Sequence, residues 1–410
     1  MSLRSFTVGF NYFYGWDVAM VESWVAHALQ QSSAQDGFHL DLRLHAHHKQ
    51  CQQGAEKDDP YAGFHDRDQS QRKWGFRFPS SLFSCAALRS LRLGHCLLNP
   101  PGDTALPSLE TLHLTGAHDS DEAIHLLIAR CPRLDDVTLE SCSELTRVSV
   151  PGGMRLRRFS LRCCHKVASV ALDTSRLRAL DYRGAVPSGS LFTFHGGDLS
   201  ISSGTVGFCG PSCLSTGEEH VGLCRLLGDH FVTAKHLHLA SRRLGCSIES
   251  GFFPCLPLFS RLHKLELTGC VDRGTTVYAV PRILQQTPNL EVLTLFLTPA
   301  APDVDKNPDV DERSDVDESL SNYRLDEYPL ATIPRAHEVS CLRQRLREIN
   351  LVHYQGTDDE AMLAKLLLRN ALVLQDLSVV FPKRSQKLQT GLMDKIKHWV
   401  VSKSTKITFQ

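Results

Sequence analysis

The chain has 410 residues, with 45 basic and 45 acidic side chains and a formal net charge of zero at pH 7. A neutral balance argues against a nucleic-acid or membrane-surface partner as its main business, and no apolar run is long enough to span a bilayer. The first residues, MSLRSFTVGFNYFYGWD, lack the basic-then-apolar design of a secretory signal.

In chain order, FTVGF alternates as a strand does. Asp17 is placed to cap a helix through Leu29, with Val18, Val21, Val25 and Leu29 on one face. FHLDLRL, with Phe38, Leu40, Leu42 and Leu44, alternates again, and residues 45–75 read as an exposed polar loop. LRSLRL from Leu88 and LETLHL from Leu109 are regular strands. The spacing predicts a helix over Asp119–Cys131, opened by a capping box of Asp119 and Glu122, striped by Ile124, Leu127 and Ile128, and stopped by Pro132.

The densest periodicity lies in Leu134–Ala185. LDDVTL, LRRFSL and LRALDY start at Leu134, Leu156 and Leu177, in steps of 22 and 21 residues. This is the leucine-rich-repeat pattern. Val137 and Leu139, then Phe159 and Leu161, alternate toward a core, and Leu180 continues them. A single coil cannot bury that face, so coils stack. LTRVSV from Leu145 and VASVAL from Val167 predict a second extended segment on the far side of each coil. Cys96, Cys142, Cys164 and Cys270 each fall three residues after the last strand leucine, where a small buried side chain serves turn backbone groups.

Beyond Ala185 the pattern loosens in a Gly/Ser-rich stretch. It returns at KHLHL (Lys235–Leu239), LHKLEL (from Leu262) and LEVLTL (from Leu290), with Pro281 placed to open a short helix before the last of these. Residues 299–340 are acidic and proline-rich and read as a solvated, disordered insertion. LREINL (from Leu346) resumes the order. Thr357 and Glu360 form a capping box for a helix to Asn370, LQDLSV (from Leu374) is a further strand, and the tail GLMDKIKHWVVSKSTKITF reads as a helix and a closing strand.

The fold expected is therefore α/β: a leucine-rich-repeat solenoid, horseshoe-like, with a curved parallel sheet and with helices and extended segments behind it. Its parts are a lead-in coil and loop (1–79), the repeats (80–298), the insertion (299–340) and a C-terminal repeat and cap (341–410). Fourteen cysteines in a large chain without a signal read as reduced thiols, and none of the seven asparagines stands in an N-x-Ser/Thr sequon. The expected compartment is intracellular, nucleus or cytoplasm.

Cys209, Cys213, His220 and Cys224 form C-x3-C-x6-H-x3-C, zinc-ligand types at a non-standard spacing, and buried thiols are the favoured reading. His45, His47, His48 and Cys51 read as a strand end and loop. Asp303–Asn307 begins like a calcium loop, but Pro308 and Ser314 stand where glycine and glutamate are needed. There is no nucleophile elbow, phosphate loop, H-E-x-x-H or dinucleotide fingerprint. No enzymatic activity, cofactor or metal is expected. The functional candidates are the outward strand positions Arg92, His113, Thr138, Ser160, Asp181, His238, Glu266 and Thr294, a mixed-charge surface of the kind that binds protein.

Three segments resemble the plant F-box/leucine-rich-repeat proteins with an FBD-type C-terminus. They are the lead-in SFTVGF, VESWVAHAL and LDLRL; the phrase FPSSLFSCAALRSLRLGHCLL (Phe78–Leu98); and the tail from LREINL, with Gly356, Glu360, Asn370, Ala371, Leu374 and Leu377 in matching places. The resemblance implies the substrate-receptor part of an SCF-type ubiquitin ligase. The F-box, which docks the Skp adaptor and through it the cullin, is expected before residue 1, since no LP-x-x-L-L-type opening occurs here. Without an upstream F-box, the alternative is a stand-alone interaction scaffold with no ubiquitin link. In either case the target is a protein, with no nucleic acid and no membrane.

Overall fold

The computed structural model describes residues 2–10, 17–33, 36–44, 76–173, 175–185, 187, 189–197, 201–209, 217–244, 256–271, 276–299, 339–382 and 386–410. The loop expected at 45–75, with its His45–Cys51 cluster, and nearly all of the acidic insertion lie outside them. The chain forms two compact units, Met1–Ala234 and Lys235–Gln410.

In the first unit the main sheet is parallel throughout. β1 (Ser5–Phe10) is followed by helix α1 (Val18–Gln30) and β2 (Phe38–Leu44). A short β3 (Phe76–Arg77) and a 3-10 turn (Ser80–Ser84) lead to β4 (Leu88–Gly94), β5 (Cys96–Leu97), β6 (Thr111–Thr115) and α2 (Asp121–Ala129). Then come β7 (Asp136–Glu140), β8 (Arg147–Ser149), β9 (Arg158–Arg162), β10 (Ser169–Asp173), β11 (Ala179–Gly184), β12 (Phe192–His195), β13 (Ser203–Phe208) and α3 (Gly217–His230). The order across the main sheet is β1-β2-β4-β6-β7-β9-β11-β13, so chain order is spatial order.

The leucine periodicity explains this order. Leu91, Leu112, Val137, Phe159 and Leu180 stand in one register row, and Leu93, Leu114, Leu139, Leu161 and Tyr182 in the next. Val137, Phe159 and Leu180 are fully buried. Each such side chain contributes about 1.5–3 kcal/mol on burial, and each finds its apolar neighbours one coil away rather than within its own coil.

The far side of the coils differs from expectation in one respect. Among the described residues, the extended segments β8, β10 and β12 back three coils and form a second parallel sheet in the order β12-β10-β8. Behind β6 a helix takes that place, because Ile124, Leu127 and Ile128 of α2 bury a stripe that a three-residue strand cannot match.

Two capping assignments are corrected. Asp17 is the N-cap residue of α1, but its side chain makes no capping hydrogen bond. In α2 the cap is Ser120, whose hydroxyl accepts from the Ala123 amide at 3.4 Å, so the helix starts at Asp121. Asp119 is buried and turned away, accepting from the amides of Leu98 (2.9 Å) and Asn99 (3.0 Å). Two orphaned amides of the neighbouring coil attract a carboxylate more strongly than an exposed helix end does.

The second unit contains β14 (His236–Arg243), β15 (Lys264–Cys270), α4 (Thr276–Gln285), β16 (Val292–Leu297), α5 (Ser340–Gln344), β17 (Glu348–Val352), α6 (Asp358–Asn370), β18 (Asp376–Val380), α7 (Gln386–Trp399) and β19 (Lys406–Phe409). Its strands also pair in parallel and in chain order. Pro281 lies inside α4 instead of opening it. Burial of Ala279, Val280, Ile283 and Leu284 outweighs the roughly 3 kcal/mol cost of an interior proline. The Thr357–Glu360 box caps α6: Thr357 accepts from the Glu360 amide at 3.3 Å, and the Glu360 carboxylate accepts from the amides of Gln355 and Gly356, each at 2.7 Å. The closing strand packs Phe409 on Phe381, with ring centroids 6.0 Å apart.

The repeat cysteines behave as the spacing requires. Cys96, Cys142, Cys164 and Cys270 are all buried. The Cys164 thiol donates to the carbonyls of Arg162 (3.4 Å) and Leu139 (3.6 Å) and accepts from the Cys142 amide (3.4 Å). The described cysteines are free thiols.

Candidate binding face

Because side chains alternate along each strand, the residues between the core leucines point outward. In the first unit the register puts Thr7, Asp41, Arg92, His113, Thr138, Ser160, Asp181 and Thr205 in one continuous row. In the second unit the corresponding row is His238, Glu266, Thr294, Asn350, Ser378 and Thr408. All eight residues singled out from the sequence stand in these rows, five in the first unit and three in the second.

Thr7, Asp41, Asn350, Ser378 and Thr408 were not singled out, although their strands were recognised. The same alternation assigns them. Thr205 had no such signal, because its strand carries no leucine at the repeat positions.

The rows are held by bonds between neighbouring coils. Ser160 donates to Asp181 at 3.0 Å, and Arg162 reaches the same carboxylate oxygen at 3.4 Å. The imidazole Nε2 of His113 lies 3.2 Å from the Thr115 hydroxyl and 3.5 Å from a Glu140 carboxylate oxygen. Arg158 pairs with Asp136 at 3.2 Å. Burial pushes the Asp136 carboxyl up, and the Arg158 charge opposes it. In the second unit Asn350 donates to Glu348 (2.7 Å) and Thr294 (3.3 Å), Lys264 pairs with Glu266 (2.7 Å), and His238 bonds Thr268 (2.8 Å). Ser160 and Thr294 are buried and so serve the row's cohesion, whereas Arg92 is exposed and makes no ion pair among the described residues.

The two faces differ in chemistry. Beside its central row the first unit presents Arg43, Thr115, Glu140, Arg162 and Arg183. The matching positions of the second unit include Phe296, Val352 and Val380, half-buried and apolar. The Ser160 hydroxyl donates to a carboxylate already shared with Arg162.

Of the cysteine and histidine set weighed for metal, Cys213 and the His220 side chain lie outside the described residues. Cys209 stands instead beside Cys163, at 3.7 Å between sulfurs. Among the described residues no helix is long and apolar enough to cross a membrane.

Comparison with known proteins fits this architecture. The family model described as "FBD-associated F-box protein At5g56370, LRR repeats" matches residues 64–189. The F-box/LRR-repeat protein At2g42730 of Arabidopsis thaliana is 26% identical over 335 residues, covering 77% of this chain and 65% of that protein. The probable FBD-associated F-box protein At1g32375 of the same plant is 23% identical over 319 residues, covering 73% and 64%. The putative F-box/FBD/LRR-repeat protein At4g00315 is 25% identical over 316 residues, covering 75% and 65%. The chain thus spans a little under two thirds of the length of these relatives.

Proposed function

The chain is a relative of the plant F-box/leucine-rich-repeat proteins of the FBD type, and from that premise we propose that it is a recognition module, the target-selecting part of an SCF-type ubiquitin ligase. It holds a protein target on the outward rows of its repeat strands, by surface complementarity and without bond chemistry. The observation that supports this reading is the unbroken row of polar side chains in parallel register, from Asp41 through Arg92, His113, Thr138 and Ser160 to Asp181. Bonds within the row fix rotamers before a partner arrives, which lowers the ordering cost of binding. The Skp adaptor and cullin join only where the full gene product carries an F-box upstream of residue 1.

The test is affinity capture of the tagged full-length gene product from plant cells. Recovery of Skp and cullin, together with a target that the double variant Arg92→Glu/Arg162→Glu loses while keeping Skp, is the expected result. Consistent absence of Skp and cullin would overturn the ligase assignment in favour of a stand-alone scaffold. Retention of the target by the double variant would remove this face from recognition.

A further inference from the structure

Most of the described cysteines are buried in the core, but Cys163 and Cys209 are not. Cys163 and Cys209 are half-buried, lie 46 residues apart in sequence, and bring their sulfurs to 3.7 Å. His165 completes the group: one ligand-type atom from each of Cys163, His165 and Cys209 lies within 4.8 Å of the others. We propose that these three side chains form a binding site for a divalent cation of the zinc class.

Three consecutive coils build the cluster. Cys163 follows β9 in the left-handed region, at φ 53°, where its amide donates to the Arg183 carbonyl at 2.5 Å. His165 sits in the turn two residues on. Cys209 follows β13, and its amide donates to the Gly184 carbonyl at 2.8 Å. The end of β11 therefore anchors both cysteines, one from each side. Strands two apart in a sheet are separated by roughly 9.5 Å, so the thiols meet only because both lean over the middle coil.

The separation of the two sulfurs fits the ion, and the imidazole, within 4.8 Å of them, moves inward to complete the set. Zinc–thiolate bonds of about 2.3 Å in a tetrahedron place the two sulfurs about 3.8 Å apart, against 3.7 Å here. A covalent disulfide requires about 2.05 Å and gives the imidazole no role. Two sulfurs and a nitrogen select a borderline-soft cation over magnesium or calcium, which require oxygen. The charges also balance. Each thiol releases its proton to solvent, so two thiolates and a neutral imidazole around a dication give an uncharged complex, and two protons leave per ion bound. A solvent molecule takes the fourth position.

The adjacent Cys164 makes a useful contrast. It points inward and bonds backbone carbonyls, and its hydrogen bond with Cys142, followed by burial, raises its thiol. Neighbouring cysteines thus have opposite duties: Cys164 closes its own coil, while Cys163 reaches across the next. Since the ligands converge only in the folded coils, the ion stabilises the folded form.

The experiment titrates the reduced full chain with Co2+ and then displaces it with Zn2+. The expected result is about one ion per chain with a sulfur-to-cobalt charge-transfer band and intense tetrahedral visible bands. Affinity falls at least about tenfold in Cys163→Ser, Cys209→Ser and His165→Asn and is unchanged in Cys85→Ser. Binding without the thiolate band, or affinity within about twofold of the parent in all three ligand variants, overturns the site. So does a Cys163–Cys209 disulfide that persists under reductant in the purified protein. Should the variants misfold, alkylation of the parent decides: Zn2+ must protect Cys163 and Cys209 selectively over Cys85, and equal labelling rates with and without Zn2+ refute the proposal.

Discussion

Gly204 offers the sharpest test of how the coils pack. It occupies the core position of β13 that pairs with Leu180 of β11. A Cβ there falls 2.1 Å from Cε1 and 2.4 Å from Cδ1 of Phe231, and 3.3 Å from the Leu180 carbonyl oxygen. Phe231 is fully buried, so its ring has no solvent to swing into. Relieving such an overlap costs about 1–3 kcal/mol by overpacking, rising toward the roughly 3–5 kcal/mol of a lost phenylalanine if the ring is expelled. Relief of glycine's backbone entropy returns about 0.5–1 kcal/mol. The expected destabilisation of Gly204→Ala is therefore about 2–3 kcal/mol, read as a lower urea midpoint by far-ultraviolet circular dichroism. The decisive measurement is a double-mutant cycle with Phe231→Leu. If the ring is the obstacle, the double variant is less destabilised than the sum of the single variants by about 1 kcal/mol or more; additivity within about 0.5 kcal/mol refutes the argument.

Two further outcomes follow from buried polar groups. Asp119→Ala leaves the amides of Leu98 and Asn99 without their carboxylate and is expected to cost about 2–4 kcal/mol, against about 1 kcal/mol for Ser120→Ala at the neighbouring cap, both by urea unfolding. Equal costs would show that Asp119 is dispensable. His230 is held below its ordinary pKa, first by burial, with Asp229 opposing. A depressed folded pKa means that its contribution to stability is full above the unfolded value of about 6.5 and is lost as pH falls toward the folded one. His230→Phe is expected to flatten the decline in melting temperature on acidification below about pH 6.5, and an unchanged slope would assign that decline to other groups.

The fold was readable wherever leucines mark the coil. Each of β4, β6, β7, β9 and β11, and each of β15, β16, β17 and β18 in the second unit, carries two alternating core residues that a strand period explains. β13 was not readable, because Gly204 stands at one of those positions and Phe231, 27 residues later, fills the space. The short β3–β5 pair carries two residues per strand, too few to show a period. The outward face followed from the strand register alone. The approach of Cys163 to Cys209 did not, since it depends on how two turns lean across a third coil.

The switch from helix to strand on the back of the first unit creates a problem that the sequence solves locally. A three-stranded sheet has two edges whose backbone groups need partners. At the β8 edge, α2 provides them: Asp121 accepts from the Thr146 amide (2.8 Å), the Thr146 hydroxyl (2.5 Å) and the Arg147 amide (3.1 Å), and His125 Nε2 accepts from the Ser149 amide (2.9 Å). Burial pushes the Asp121 carboxyl up, but the Thr146 and Arg147 bonds outweigh it and hold the group below the usual carboxylate range. At the β12 edge the cover is aromatic. His230 of α3 meets Phe194 at 4.8 Å and Phe192 at 5.8 Å, both edge-on. The same two helices that interrupt the run of backing strands therefore seal its ends. The run of three strand-backed coils is tolerated here because the coils that flank the run are backed by helices carrying an acceptor or a ring at each junction.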